Sequence, residues 1–348
     1  MSIINLNKCY QSLELNQVKD ISEKENEQLK RVVNFLRENS PETVSTTSTS
    51  RDTCRKIKAK TNNIPYNVDF DSVTGDFVVC LGELAKGKYK VVKKYISLST
   101  LQVVAIGKQM ITSDLDRRFA YKEIEMLLKC KGQKNILQII SHEKYISKKK
   151  NDTEIVKIVS RYYNKGDLSR STLTPLEKLQ TAVQIISGAM ALHRLGIIHR
   201  DLKLANILCE KVTDSDEKEA LHSVVADLGL ACWENDDPDS SSTQCGSRIY
   251  MSPQCLRKAE ATIFDDSWSV GVVLSELFFG TSPLHNAADE KELLEIMDRM
   301  NDEKHNPCPK DDESIEYVIW KLMRPEIYDR MTLPKALNLI NALIRNKK

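Results

Sequence analysis

The 348-residue sequence predicts an α+β protein in two lobes, a small β-rich N-lobe with one long helix and a mainly helical C-lobe. Three observations carry this. Segments rich in β-branched and aromatic residues follow one another from about residue 76 to residue 163, broken by Gly and Ser. One helical stretch interrupts them, and beyond Tyr163 the apolar spacing turns mainly helical. Strands followed by helices in one run suit an α+β arrangement rather than alternating βαβ units.

The elements follow in order. Residues 1 to about 40 are polar and helical in pattern, with Leu29, Val32, Val33 and Leu36 on one face. That face suits a docking partner or, equally, an accessory helix lying on the main domain. SPETVSTTSTSRDTCRKIKAKTNN is Ser/Thr-rich, then basic, and reads as a solvated linker, its cations Arg55, Lys56, Lys58 and Lys60 included. We therefore expect an extension over residues 1–72 and a main domain over 73–346, divided into lobes of about 73–160 and 164–346. FVVCLGEL, GKYKVVKKYI, LQVVAIGK, ILQIISHEKYI and EIVKIVSRYY read as five strands. SDLDRRFAYKEIEMLLKCKG reads as a helix capped by Ser113 with Asp116 at N3, its apolar side carried by Phe119, Ile124, Leu127 and Leu128. Thr174, Pro175 and Glu177 mark a second strong helix start.

Bulk properties exclude several classes. A net charge of +2 with interspersed signs gives no field that favours nucleic acid. The nine cysteines form no CxxC pair and fit scattered reduced thiols, not a disulfide framework or zinc site. No apolar run suggests a transmembrane segment, and the first residues lack a secretory pattern. The expected location is cytoplasmic, with leaderless secretion into a host cell left open.

The chemistry concentrates in IIHRDLKLANIL, residues 197–208, where apolar flanks bracket His199, Arg200, Asp201, Lys203 and Asn206. About twenty residues on, VVADLGLA adds Asp227. Carboxylate and amide oxygens are hard ligands that suit Mg²⁺, and Lys203 can neutralise a phosphate. His193 and His199 read as structural hydrogen-bonding groups.

HRDLKLAN resembles the catalytic loop of the protein-kinase family, and DLG resembles its metal-binding DFG. The resemblance spans about residues 76–345 and points to the serine/threonine type. It implies ATP and Mg²⁺ as cofactors and a protein Ser/Thr hydroxyl as substrate. By the same resemblance, Asp201 would orient the hydroxyl or accept its proton, and Lys203 would stabilise the transferred phosphoryl group. Asn206 and Asp227 would hold Mg²⁺. Lys108 would contact the α/β-phosphates and pair with Glu123, with Glu125 as the other candidate. Gly82 and Gly87 in LGELAKG would belong to the glycine-rich phosphate cover. Tyr162 and Tyr163 would form the hinge whose backbone meets adenine, with Ser160 guarding the back pocket. Lys203 and Ser247 favour serine/threonine over tyrosine. Asp266 and Arg330 would brace the large lobe. Arg200 implies a pocket for a phosphorylated activation loop, with Ser240, Ser241, Ser242 and Thr243 as acceptors; Asp236, Asp237 and Asp239 could instead supply the acid.

The sequence departs from the family pattern at several places. Leu84 stands at the middle glycine of the phosphate cover, where a side chain restricts φ > 0 and close approach. Tyr89 replaces the usual Val over adenine. In AIGK, strict alternation puts Ile106 on the face of Lys108, whereas a bulge at Gly107 would put Ala105 there; we favour the bulge. Gln254 replaces the glutamate that pairs with the arginine matched by Arg330, and Leu228 replaces Phe. The set of groups that handle phosphate and metal is complete, which favours an active enzyme. The alternatives are a pseudokinase scaffold and a small-molecule kinase.

Overall fold

The structure is a computed structural model that describes residues 3–4, 18–39, 44–45, 68–71, 76–87, 90–98, 100–148, 152–213, 219–234 and 246–346. Tyr89, Asp236 to Thr243, the basic cluster from Arg55 to Lys60, and Lys149 and Lys150 lie outside the described residues. The chain forms two compact units. One comprises Met1–Ala120 and Ile139–Tyr162; the other comprises Tyr121–Gln138 and Tyr163–Lys348.

The first unit holds helix α1 (Glu23–Asn39) and a six-stranded antiparallel sheet. Its strands are β1 (Val68–Asp71), β2 (Asp76–Lys86), β3 (Lys90–Ser97), β4 (Val103–Ile111), β5 (Ile139–Ser147) and β6 (Thr153–Arg161), in the order β1-β2-β3-β4-β6-β5. The five expected strands are β2 to β6. The sixth, VDFD, alternates apolar and acidic residues but is too short for its period to stand out.

The expected bulge at Gly107 is absent. β4 pairs without a register shift on both sides, Gly107 facing Val92 on β3 and Ile158 on β6. A central strand is bonded along both edges, so an inserted residue there would break two ladders at once. Alternation therefore puts Ile106 on the face of Lys108, and Ala105 on the other face with Lys94 and Ser160. The register shifts fall instead on β2, between Cys80 and Gly82 and between Glu83 and Ala85.

Helix α1 starts with a reciprocal cap. Glu25 N donates to Ser22 Oγ at 3.3 Å, and Ser22 N donates to Glu25 Oε2 at 2.7 Å. Leu29, Val32 and Val33 are buried within the chain. The side chain of Leu36 lies outside the described residues. Helix α2 (Asp114–Lys129) is capped as expected, Asp116 N donating to Ser113 Oγ. Its buried side is Ala120, Glu123, Ile124, Met126 and Leu127, while Leu128 is exposed. Glu125 is exposed too, so burial separates the two candidate glutamates.

The second unit packs helix α3 (Pro175–Arg194) with α5 (Ile263–Phe279) and α8 (Leu333–Asn346), and adds α4 (Pro253–Leu256), α6 (Glu290–Arg299) and α7 (Ile315–Leu322). The Thr174 capping box on α3 forms as expected. Helix α5 is buried from Asp265 to Leu277, its polar members Asp265, Asp266 and Glu276 included, which makes it the core helix of this unit. This unit also contains strands that the helical reading passed over. β7 (Gly166–Asp167), β9 (Ile207–Thr213) and β10 (Glu219–Val225) form a three-stranded sheet, and β8 (Ile197–Ile198) pairs with β11 (Cys232–Trp233). Among the described residues no helix is long and apolar enough to cross a membrane, and the six described cysteines are free thiols.

Candidate active site

The polar knot is a loop held at both ends, entered from β8 and left through β9. Beneath it lies Asp266, fully buried in the first turn of α5. Its carboxylate accepts the backbone N–H of His199 at 2.9 Å and of Arg200 at 3.0 Å, and His193 Nε2 at 2.8 Å. Burial alone would push the Asp266 carboxyl up. The His193 hydrogen bond and charge, with His199, outweigh that and hold it below the usual carboxylate range. His199 donates from Nε2 to Ala226 O at 3.0 Å and accepts Asp201 N on Nδ1 at 3.2 Å. Both ring nitrogens are thus engaged within the protein, as the structural reading of this histidine expects.

Asp201 itself is buried and surrounded by donors. Lys203 Nζ reaches its Oδ2 at 2.8 Å, Asn206 Nδ2 reaches Oδ2 at 2.9 Å, and Ser247 N reaches Oδ1 at 3.1 Å. Lys203 Nζ also donates to Ser247 Oγ at 3.1 Å. Asn206 spends its amide nitrogen on Asp201, including the backbone oxygen at 2.8 Å, so its amide oxygen is the atom suited to a cation. The structure therefore brings Asp201, Lys203, Asn206 and Ser247 into one hydrogen-bonded group.

Asp227 follows β10 in the left-handed region at φ 64°, and Arg200 has the same φ. Such conformations in residues other than glycine cost about 1–3 kcal/mol and cluster at functional sites. Asp227 is exposed, whereas Leu228 behind it is buried. A Cβ on Gly229 would lie 3.2 Å from Asp227 Oδ1 and 3.9 Å from Glu123 Oε2. The two carboxylates flank one glycine of the second unit.

Downstream residues close the loop from the other side. Gly246 has φ 104°, and a Cβ there would stand 2.7 Å from Arg200 O and 3.1 Å from Asp201 Oδ1. Only glycine lets Ser247 come close enough to bond Asp201. This glycine escaped the sequence reading as a site residue; its place just before Ser247 was the available signal. Arg330 donates to Arg324 O, Phe264 O, Pro325 O and Gln254 Oε1, the last at 2.8 Å. Burial lowers its guanidinium to about 10. The neutral bond expected for Gln254 is present.

In the first unit, Gly82 and Gly87 stand at the exposed end of β2 and Lys108 lies on β4, its Nζ 6.0 Å from the Tyr95 ring. Leu84 is 43% exposed, falls at the second register shift of β2, and does not adopt a positive φ. Tyr162 is the last residue of this unit, and the chain re-enters the second unit at Tyr163.

Comparison with known proteins matches residues 79–340 to the protein kinase domain family. A serine/threonine-protein kinase PLK4 from Nematostella vectensis is 30% identical over 275 residues, covering 76% of this chain and 26% of that protein. A NUAK family SNF1-like kinase 1 from Mus musculus is 32% identical over 225 residues, covering 61% of this chain and 31% of that protein. Protein kinase C delta type from Homo sapiens is 42% identical over 115 residues, covering 33% and 16%. The chain belongs to the protein kinase family. The chain spans about a third or less of the length of these three relatives.

Proposed function

We propose that this chain is a protein serine/threonine kinase that transfers the γ-phosphoryl group of ATP to a protein hydroxyl. The observation that carries the reading is the group around Asp201. Its carboxylate is buried and fixed by Lys203, Asn206 and the Ser247 amide, an acceptor held in one orientation as hydroxyl positioning requires. Phosphoryl transfer needs positioning and charge stabilisation more than covalent chemistry, and this group offers both. Asp201 orients the hydroxyl or takes its proton. Lys203, already bonded to Asp201, offers its charge to the phosphoryl oxygens.

Asn206 and Asp227 would hold Mg²⁺. Their donor set fits: both offer hard oxygens, and Mg²⁺ is usually bound by one or two carboxylates plus substrate phosphates. When bound, the metal supplies charge neutralisation on the phosphates. ATP would be met by Gly82 and Gly87, by Lys108 with Glu123, and by the backbone at Tyr162 and Tyr163. We read residues 73–346 as the catalytic domain. The serine/threonine preference rests on Lys203 bonded to Ser247.

The test is purified protein with labelled ATP and Mg²⁺ beside Asp227→Ala. Label on serine or threonine that disappears in the variant is the expected result. Absence of label, together with no Mg-ATP-dependent rise in melting temperature, would make the chain a pseudokinase scaffold instead.

A further inference from the structure

Helix α1 lies outside the residues matched to the family and is nevertheless built into the first unit. Its apolar side, Leu29, Val32 and Val33, is buried within the chain. Glu25, at the third position of its capping box, meets Lys94 on β3 with both carboxylate oxygens at 3.0 Å from Nζ. The two side chains are only 19% and 10% exposed. The Lys94 ammonium in turn stands 5.0 Å from the centroid of the Tyr162 ring, within the range of a cation–π contact. Capped helix, carboxylate, ammonium and ring thus form one chain of contacts. It ends on the residue at which the backbone leaves the unit.

We propose that α1 is a built-in positioning element: Glu25 holds Lys94 against the Tyr162 ring and thereby fixes the backbone that runs from β6 into Tyr163. Three features support this. Lys94 belongs to the Ala105 and Ser160 face of the sheet, not to the Lys108 face, so the clamp does not draw on the lysine assigned to phosphate. An ion pair this little exposed is screened less than a surface pair, so it keeps its direction in solution. Tyr162 reports the same neighbourhood: burial first, then the charges of Glu25 and Asp20, push its phenol up. The consequence for nucleotide rests on the reading that the Tyr162–Tyr163 backbone meets adenine; the positioning of that backbone does not. Glu25 and Lys94 are positioning residues, since neither is assigned a contact with substrate.

The experiment uses the full chain and compares wild type with Glu25→Gln, Lys94→Met and the exchange Glu25→Lys with Lys94→Glu. Ile340→Ala, in the core of the second unit, serves as a destabilising control that leaves α1 and the clamp residues in place. Amide hydrogen exchange across residues 160–163 is read first, because it needs no nucleotide. We expect exchange there to quicken about tenfold in the single variants and much less in the control at a matched loss of melting temperature. We expect the KM for ATP to rise about fivefold with kcat within about twofold, and the exchange variant to recover part of both. Unchanged exchange at 160–163 in Glu25→Gln and Lys94→Met overturns the proposal, as does equal acceleration in Ile340→Ala. If wild type binds no nucleotide, the exchange measurement still decides the positioning role, and only the kinase reading falls.

Discussion

Around Asp201 the side chains are tied at several points. Asp266 holds two backbone amides and a histidine, Asp201 takes three donors, and His199 uses both ring nitrogens. Residues Gly82 to Gly87 of the first unit stand exposed, and Gly82, Glu83, Ala85 and Lys86 keep their place by backbone pairing to β3. The departure Leu84 falls in that exposed stretch, and the Asp201 loop keeps its full polar set. A substitution in a buried network leaves a desolvated group without its partner, whereas one on an exposed strand exchanges one contact with water for another. Variation is cheap where side chains face solvent and costly where they share a buried network.

The largest expected effect comes from breaking the brace. Asp266→Ala should cost about 3–5 kcal/mol in a urea unfolding curve, because it orphans two amides and His193 in a dry site. The same bonds carry a pH signature. The folded Asp266 carboxyl lies below its ordinary value of 3.8, so its stabilisation is in place above that value and is lost as pH falls through the lower folded one. An acid titration of wild type should show extra unfolding there that Asp266→Ala lacks.

Gly246→Ala comes next. The added methyl meets Arg200 O at a backbone φ of 104°, which should cost about 1–3 kcal/mol. It should lower kcat more than it raises the KM for ATP, since it displaces Ser247 from Asp201. A purely thermal effect with normal kcat would show that the Ser247 contact is dispensable.

Gln254→Glu should stabilise by about 1 kcal/mol by meeting the Arg330 guanidinium with a carboxylate, read as a rise in melting temperature. Pro325 O loses the glutamine donor but keeps Arg330. The smallest effect is expected of Leu84→Gly. Its side chain is exposed and its φ is not strained, so melting temperature should move by no more than about 0.5 kcal/mol equivalent. The KM for ATP should fall by about threefold or less. A tenfold fall would mean that the exposed stretch is as constrained as the buried knot.

Much of this was legible beforehand because local chemistry announced it. The Thr174 box, Ser113 as cap and the strand runs all depend on neighbours a few residues away. The cap of α1 is equally legible in SEKE, Ser22 to Glu25. The β9–β10 hairpin was missed because its alternation sits between two motifs that draw attention to side chains. In α2 the helical spacing runs through Phe119 and Leu128, yet Leu128 is exposed, and Ala120, Glu123 and Met126 are buried beside Ile124 and Leu127.

What the sequence determined by itself was the inventory: which acids, lysines and amides exist, in what order, and that strands precede helices. These follow from residue type and short-range periodicity. Only the tertiary structure decided the rest. It settled the face of Lys108 by pairing β4 on both edges, buried Glu123 while leaving Glu125 exposed, and joined Glu25 to Lys94 across 69 residues. Register, burial and long-range ion pairs are set by partners distant in sequence, and no local pattern encodes who those partners are.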